Sequence, residues 1–179
     1  MDTQNCHISE VKLEDLEDIQ TLAGVIWRAH YPGIISYSQI DFMLAADYTP
    51  EALSEALKQG VAMRKLLVDD HLVGFSAFGP LDSEGLLKLH KLYLLPSFHG
   101  RGLGSMLLTN VEREASKLGA NTLVLQVNKH NSHAIRAYRA TGFKVHRSLV
   151  SAIGGGFFMD DFEMQKPLNA QESANGQLL

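Results

Sequence analysis

Cysteine is nearly absent from this chain. Cys6 is the only one in 179 residues, so no intrachain disulfide can form, and a reducing, cytosolic home is the expected one. Long apolar runs are missing as well. No stretch of about 18 apolar residues occurs, so no membrane association through a spanning helix is expected. The first residues, MDTQNCHISE, have neither the basic start nor the apolar stretch of a secretory signal, and none is expected. No charge of one sign dominates: 16 Lys and Arg face 20 Asp and Glu, a net charge of -4. That balance argues against a nucleic acid partner and suits a cationic one. Internal repeats, low-complexity tracts and linkers are also lacking. With 45% hydrophobic and 20% charged residues, the composition excludes a disordered, collagen-like or disulfide-scaffold chain. A chain of this length buries roughly 70% of its unfolded surface, so it needs no metal or disulfide staple. One domain is expected over residues 1–168. Residues 169–179 read as a flexible tail, with docking on a partner subunit as the alternative.

What is present divides by period. Residues 12–29 place Leu13, Leu16, Ile19, Leu22 or Ala23, and Ile26 on one helical stripe. Acids at Glu14, Asp15, Glu17 and Asp18 suit the start of that helix, and Tyr31-Pro32-Gly33 stops it. Residues 38–46 and 50–59 read as two more helices, the second opening with Pro50. Strands follow over 61–68, 72–78 and 86–95, with a hairpin turn at Asp69-Asp70-His71. A helix over 103–118 turns Leu103, Met106, Leu107, Val111 and Leu118 inward, and Gly119 closes it. Next come an apolar strand over 122–127, a short helix over 131–140 capped by Asn131, and two strands flanking Gly154-Gly155-Gly156. The order predicts an α/β or mixed α+β fold, a mixed sheet with helices on both sides.

The informative stretch is LHKLYLLPSFHGRGLGS, Leu89 to Ser105. An apolar strand runs into Pro96, and a loop with Gly100, Gly102 and Gly104 opens a long helix. Glycine at alternate positions lets backbone N–H groups approach an anion, and the helix start adds free donors and partial positive charge. Arg101 adds a charged donor, so a phosphate or diphosphate is the natural occupant. A tight turn with no ligand has the same composition. A dinucleotide-binding loop requires G-x-G-x-x-G and an acid closing the next strand; here Ser105 stands three after Gly102 and the strand ends in Gln126-Val127. A Walker loop requires Gly-Lys-Ser/Thr, which is missing.

The loop resembles the acetyl-CoA site of the GCN5-related N-acetyltransferase (GNAT) superfamily, a strand followed by Gln/Arg-x-x-Gly-x-Gly/Ala and a helix. His99-Gly100-Arg101-Gly102-Leu103-Gly104 fits it, with His99 in place of the usual Gln or Arg. The later block LQVNKHNSHAIRAYRATGF is similar to the family's following region, with Asn131, Ala134, Tyr138 and Gly142-Phe143 at the family's spacing. The likeness is good over 61–166 and looser before it. It implies a central mixed, mostly antiparallel sheet of about seven strands flanked by helices on both faces. It also implies acetyl-CoA as co-substrate and no metal. By the resemblance Leu92, Tyr93 and Leu94 pair with pantetheine amides. His99, Gly100, Arg101, Gly102, Leu103, Gly104 and Ser105 cradle the pyrophosphate. Asn131 contacts the pantetheine arm, caps its helix, or does both.

Tyr138, four residues before Gly142-Phe143, matches the family's tyrosine that protonates the leaving thiolate. For the base, some relatives use a Glu where this chain has Gln126, which accepts no proton. His90, on the strand leading to the loop where other relatives carry Glu or His, is the expected base by the resemblance. Alternation puts Lys88, His90 and Leu92 on one face, so His90 looks toward the site if Leu92 borders pantetheine. A structural histidine, with deprotonation through ordered waters, is the alternative. The acceptor is expected near Trp27-Arg28-Ala29-His30-Tyr31-Pro32-Gly33 and the last strand. Trp27 and Tyr31 are candidates there, Trp27 reading also as core, and Asp160 and Asp161 can attract an ammonium or lie solvated at a strand end. The overall pattern is loosely similar to enzymes that acetylate polyamines or other small amines. Protein N-terminal acetylation and a non-catalytic acyl-CoA sensor are the competing classes. A homodimer is the common assembly for such folds.

Overall fold

The computed structural model describes residues 5–168. Seven strands form one sheet: β1 (Cys6–Glu10), β2 (Ala62–Val68), β3 (His71–Leu81), β4 (Leu86–Leu94), β5 (Thr122–Asn128), β6 (Lys144–Gly154) and β7 (Phe157–Pro167). Their order is β1-β2-β3-β4-β5-β7-β6, antiparallel throughout except for the central β4–β5 pair. Five helices complete the fold: α1 (Leu16–His30), α2 (Tyr37–Asp47), α3 (Pro50–Lys58), α4 (Leu103–Lys117) and α5 (Ser132–Ala140). The expected mixed sheet with helices on both faces is observed.

Local chemistry explains most boundaries. Ser36 and Thr49 cap α2 and α3 by accepting hydrogen bonds from the Gln39 and Ala52 amides, and Asn131 caps α5 through the Ala134 amide. The β2–β3 hairpin turns on Asp69 and Asp70, both left-handed with φ of 48° and 64°. Asp tolerates that region better than most residues, and the twist of such a turn matches that of the flanking strands.

Two cores lie on opposite faces of the sheet. On one, Ile19, Ala23, Trp27, Ile40 and Leu53 of α1–α3 pack on Met63, Phe75 and Ala77. On the other, Leu108, Val111 and Ala115 of α4 and Ile135 of α5 pack on Leu87, Leu89, Leu123, Leu125 and Met164. Each Leu, Ile, Val, Phe or Met among them contributes roughly 1.5–3 kcal/mol when buried.

Three expectations change. Leu13 does not join the buried stripe of α1; it is 68% exposed in a single 3-10 turn ahead of that helix. Strand β1 was not foreseen, because five residues of mixed polarity at a sheet edge carry too weak an alternation. Leu118 does not face inward. It is 56% exposed beyond the last turn of α4, where the chain is already leaving the helix towards Gly119. The expected tail, 169–179, lies outside the described residues. No described helix is long and apolar enough to cross a membrane.

Candidate active site

The parallel β4–β5 ladder is short. It runs from Leu86 opposite Thr122 to Leu89 opposite Leu125 and then stops, although β4 continues to Leu94 and β5 to Asn128. Beyond Leu89, β4 is paired only with β3, through Lys91, Leu92, Tyr93 and Leu94. The edge of β4 towards β5 therefore has no strand partner along Leu92–Leu94, and a wedge opens between the two strands. Backbone N–H and C=O groups at such an edge want partners. An extended ligand carrying amides can supply them.

The glycine loop closes one end of the wedge. Gly100 and Gly102 have φ of 75° and 77°, a region that side chains with a Cβ seldom enter. A Cβ added at Gly100, Gly102 or Gly104 would meet no protein atom within 4 Å, so nothing in the chain itself requires glycine there for space. Helix α4 starts at Leu103 with Gly102 as its N-cap and no side chain capping it, which leaves its first amides free for an anion. Arg101 is held beside the loop, its guanidinium 4.9 Å from the Phe98 ring centroid. His99 braces the turn by donating from Nε2 to the Leu94 carbonyl at 3.0 Å. Ser105 is exposed in the first turn of α4. These residues fit a pyrophosphate.

Asn131 is 5% exposed, and its Oδ1 accepts the Ala134 amide at 3.2 Å, so the cap is real. His30, His99 and His133 gather near it. The His99 and His133 rings stack at 5.9 Å, and burial depresses the His30 pKa, with both other imidazoles adding to that and Asn131 opposing it. Tyr138 projects from α5 with its ring 5.5 Å from that of Phe143. Burial pushes its phenol up to about 12, so the hydroxyl keeps its proton at neutral pH.

On the α1 side an aromatic group lines the wedge. The Tyr31 and Tyr93 hydroxyls are 3.5 Å apart, and Trp27 lies 4.3 Å from the Tyr31 ring and 6.0 Å from that of Tyr93. Trp27 is 2% exposed, so it supports these rings from beneath and offers no surface of its own to an acceptor. Tyr48 and Lys91 complete the group, the Lys91 Nζ lying 4.2 Å from the Tyr48 ring centroid. The sequence reading named neither of them. A single tyrosine at a helix end and a single lysine in a strand give no pattern to find.

The predicted common face of Lys88, His90 and Leu92 fails at Leu92, while Lys88 and His90 line one depression. Ala77 of β3 pairs with Lys91 while Phe78 pairs with Leu89, so His90 is an extra residue in a β-bulge. The bulge shifts the alternation. Leu89 and Leu92 both pack towards α4 and α5, whereas Tyr93 packs with α1. His90 instead donates from Nε2 to the Gly79 carbonyl at 2.6 Å, in a depression lined by Gln59, Val61, Pro80, Lys88 and Val124. Burial there lowers its pKa, the Gly79 contact opposes the shift, and Lys88 and Lys91 add to it. None of the clustered tyrosines is among these contacts.

The two aspartates of β7 separate for the same reason of alternation. Asp160 pairs with Lys129, which also lies over the Phe162 ring on the α5 side. Asp161 points the other way and is 7% exposed, with Oδ1 lacking a hydrogen-bond partner. Burial, then the Asp160 charge, push its carboxyl up to about 6, against the pull of Lys88 and Lys129. Its charge also reaches Tyr31, whose pKa burial, Tyr93, Tyr138 and Asp161 together raise. Helix α2 closes this side, where Gln39 Nε2 donates to the Phe158 carbonyl at 2.9 Å.

The profile of the Acetyltransferase (GNAT) family matches residues 26–143. Among curated proteins, the chain is 28% identical to a spermidine N(1)-acetyltransferase of Thermoplasma acidophilum, over 77% of this chain and 88% of that one. It is 36% identical to an uncharacterised N-acetyltransferase of Mycobacterium tuberculosis, over 79% of this chain and 91% of the other. Among solved structures, the PaiA N-acetyltransferase of Thermoplasma acidophilum in complex with coenzyme A superimposes with a TM-score of 0.78 at 26% identity. That match covers 91% of this chain and 99% of the other.

Proposed function

The chain belongs to the acetyltransferase (GNAT) family and is an acetyl-CoA-dependent N-acetyltransferase, and from that premise we propose that its acceptor is a small cationic amine or polyamine. The observation that carries the reading is the buried Asp161 carboxylate, whose Oδ1 has no hydrogen-bond partner among the described residues. Its residue is paired through the backbone with Asn128, where β5 has parted from β4. An ammonium is its natural complement, and tyrosine faces attract the same cation. The spermidine acetyltransferase relative and the net charge of -4 point the same way.

In this reading the free edge at Leu92, Tyr93 and Leu94 pairs with the pantetheine amides. The amides from Gly100 to Ser105, with Arg101 beside them, hold the pyrophosphate, His99 keeps the turn in place, and Asn131 orders the start of α5 next to the pantetheine arm. When bound, acetyl-CoA supplies a thioester whose acetyl carbon is open to an amine lone pair. Tyr138 donates its O–H proton to the departing sulfur and recovers one from the nitrogen that has just formed the amide bond. The tyrosine thus ends the cycle as it began.

An amine panel followed by thiol release tests this. Spermidine, other diamines, aminoglycosides, amino acids and short peptides are offered with acetyl-CoA. Turnover is expected to be best with polyamines or small diamines. Faster turnover with peptide N-termini overturns the acceptor class, and acetyl-CoA binding without turnover on any amine makes the protein a sensor.

A further inference from the structure

Asp161 is a buried carboxylate that the structure leaves without an internal use. Ion pairs account for its neighbours: Asp160 holds Lys129, and Glu163, on the same face of β7, holds Arg147 at 2.7 Å. Among the described residues Asp161 has no such partner, and its Oδ1 is shielded from water with no donor in reach. Buried polar groups are seldom left in this state unless something outside the chain completes them. The side chain faces α1 rather than α5, and its charge is felt at Tyr31, whose hydroxyl is 3.5 Å from that of Tyr93. Tyr138 is also felt at both of those tyrosines. Asp161 pairs with Asn128 at the end of β5, beyond the last β4–β5 pair, so the carboxylate stands where the two strands part.

We propose that Asp161 receives the acceptor's ammonium and takes its proton, serving as the general base that His90 is not placed to be. This rests on the cationic-amine reading above and deepens it. The step is a simple transfer. An N–H bond of the ammonium breaks, an O–H bond forms on the Asp161 carboxyl, and the electron pair stays on nitrogen as the lone pair that attack requires. The proton then leaves to solvent as the next ammonium arrives with the carboxylate ionised again. A carboxyl group that titrates near 6 suits this work, since it is ionised at neutral pH yet basic enough to accept. The charges that act on it are Asp160 and Lys129, paired with each other on the opposite face of β7, and Lys88 on β4.

The test compares wild type with Asp161→Asn, which keeps shape and removes basicity. First, spermidine binding to the coenzyme A-loaded protein is measured by calorimetry between pH 5 and 8. Wild-type affinity is expected to rise with pH through about 6, as the carboxylate ionises, and Asp161→Asn to bind weakly with no such rise. Second, kcat at saturating spermidine is expected to fall by ~10²–10⁴-fold in Asp161→Asn, with acetyl-CoA affinity retained. Equal spermidine affinity in the two proteins, or a low-pH limb that vanishes in His90→Gln and not in Asp161→Asn, overturns the proposal. If wild type acetylates no cationic amine, the acceptor reading falls instead, which separates the two failures. Circular dichroism and retained acetyl-CoA binding show that the variant is folded.

Discussion

Tyr138 shows how one residue's environment decides its chemistry. On an exposed helix a phenol ionises near its ordinary value, but burial against Phe143 holds this one up to about 12. It therefore keeps its proton at neutral pH, as the proposed donation to the leaving sulfur requires. Replacing it with Phe removes only the hydroxyl, and the ring packing with Phe143 stays. Tyr138→Phe is expected to lower kcat by ~10²-fold or more while acetyl-CoA affinity measured by calorimetry stays unchanged. A loss of affinity at unchanged kcat assigns the hydroxyl to binding the cofactor instead. The position of Tyr138 was legible in the sequence, since it depends only on spacing from Gly142-Phe143. The separate fates of Asp160 and Asp161 were not. Period-two alternation says that neighbours in a strand face opposite ways, but which one faces α1 depends on how β7 is set between β5 and β6.

At the scale of elements, most of what the sequence promised is observed, because strong periodicity and turn residues act locally. The helices over 103–118 and 131–140 and the hairpin at Asp69-Asp70 are examples. What local pattern cannot carry is a change of register. The bulge at His90 exists only because β3 and β4 pair as they do, and it reverses the predicted facing of His90 relative to Leu92. The glycine loop offers a sharper test of element-level function. Gly104 lies within the first turn of α4 without a left-handed φ, and a Cβ there would meet no protein atom. Alanine is a better helix former than glycine, so Gly104→Ala is expected to raise stability by up to about 1 kcal/mol. The same methyl group would stand in the phosphate cradle. Acetyl-CoA affinity is therefore expected to fall tenfold or more, about 1.4 kcal/mol. If denaturant unfolding shows the gain and calorimetry shows no loss of affinity, the loop is a turn and not a cradle.

For the molecule as a whole, Asp161 ties catalytic readiness to folding stability. An unfolded aspartate ionises near its ordinary value of 3.8, whereas in the folded chain burial and Asp160 hold the carboxyl at about 6. Between these values the folded state keeps a proton that the unfolded state has released. Stability from this group therefore falls as pH rises through that window and levels off above it. Asp161→Asn carries no charge to bury. Its melting temperature is expected to match wild type below about pH 4 and to exceed it above about pH 6, the gap opening between the two. Spermidine should narrow the gap at pH 8 by stabilising wild type alone, since a ligand stabilises only the state that binds it. Thermal melts across pH 4–8, with and without spermidine, check both statements. A gap that is already open at pH 4 would mean that the amide acts through packing rather than through the removed charge. A gap that spermidine leaves untouched would mean that the amine does not seek this carboxylate.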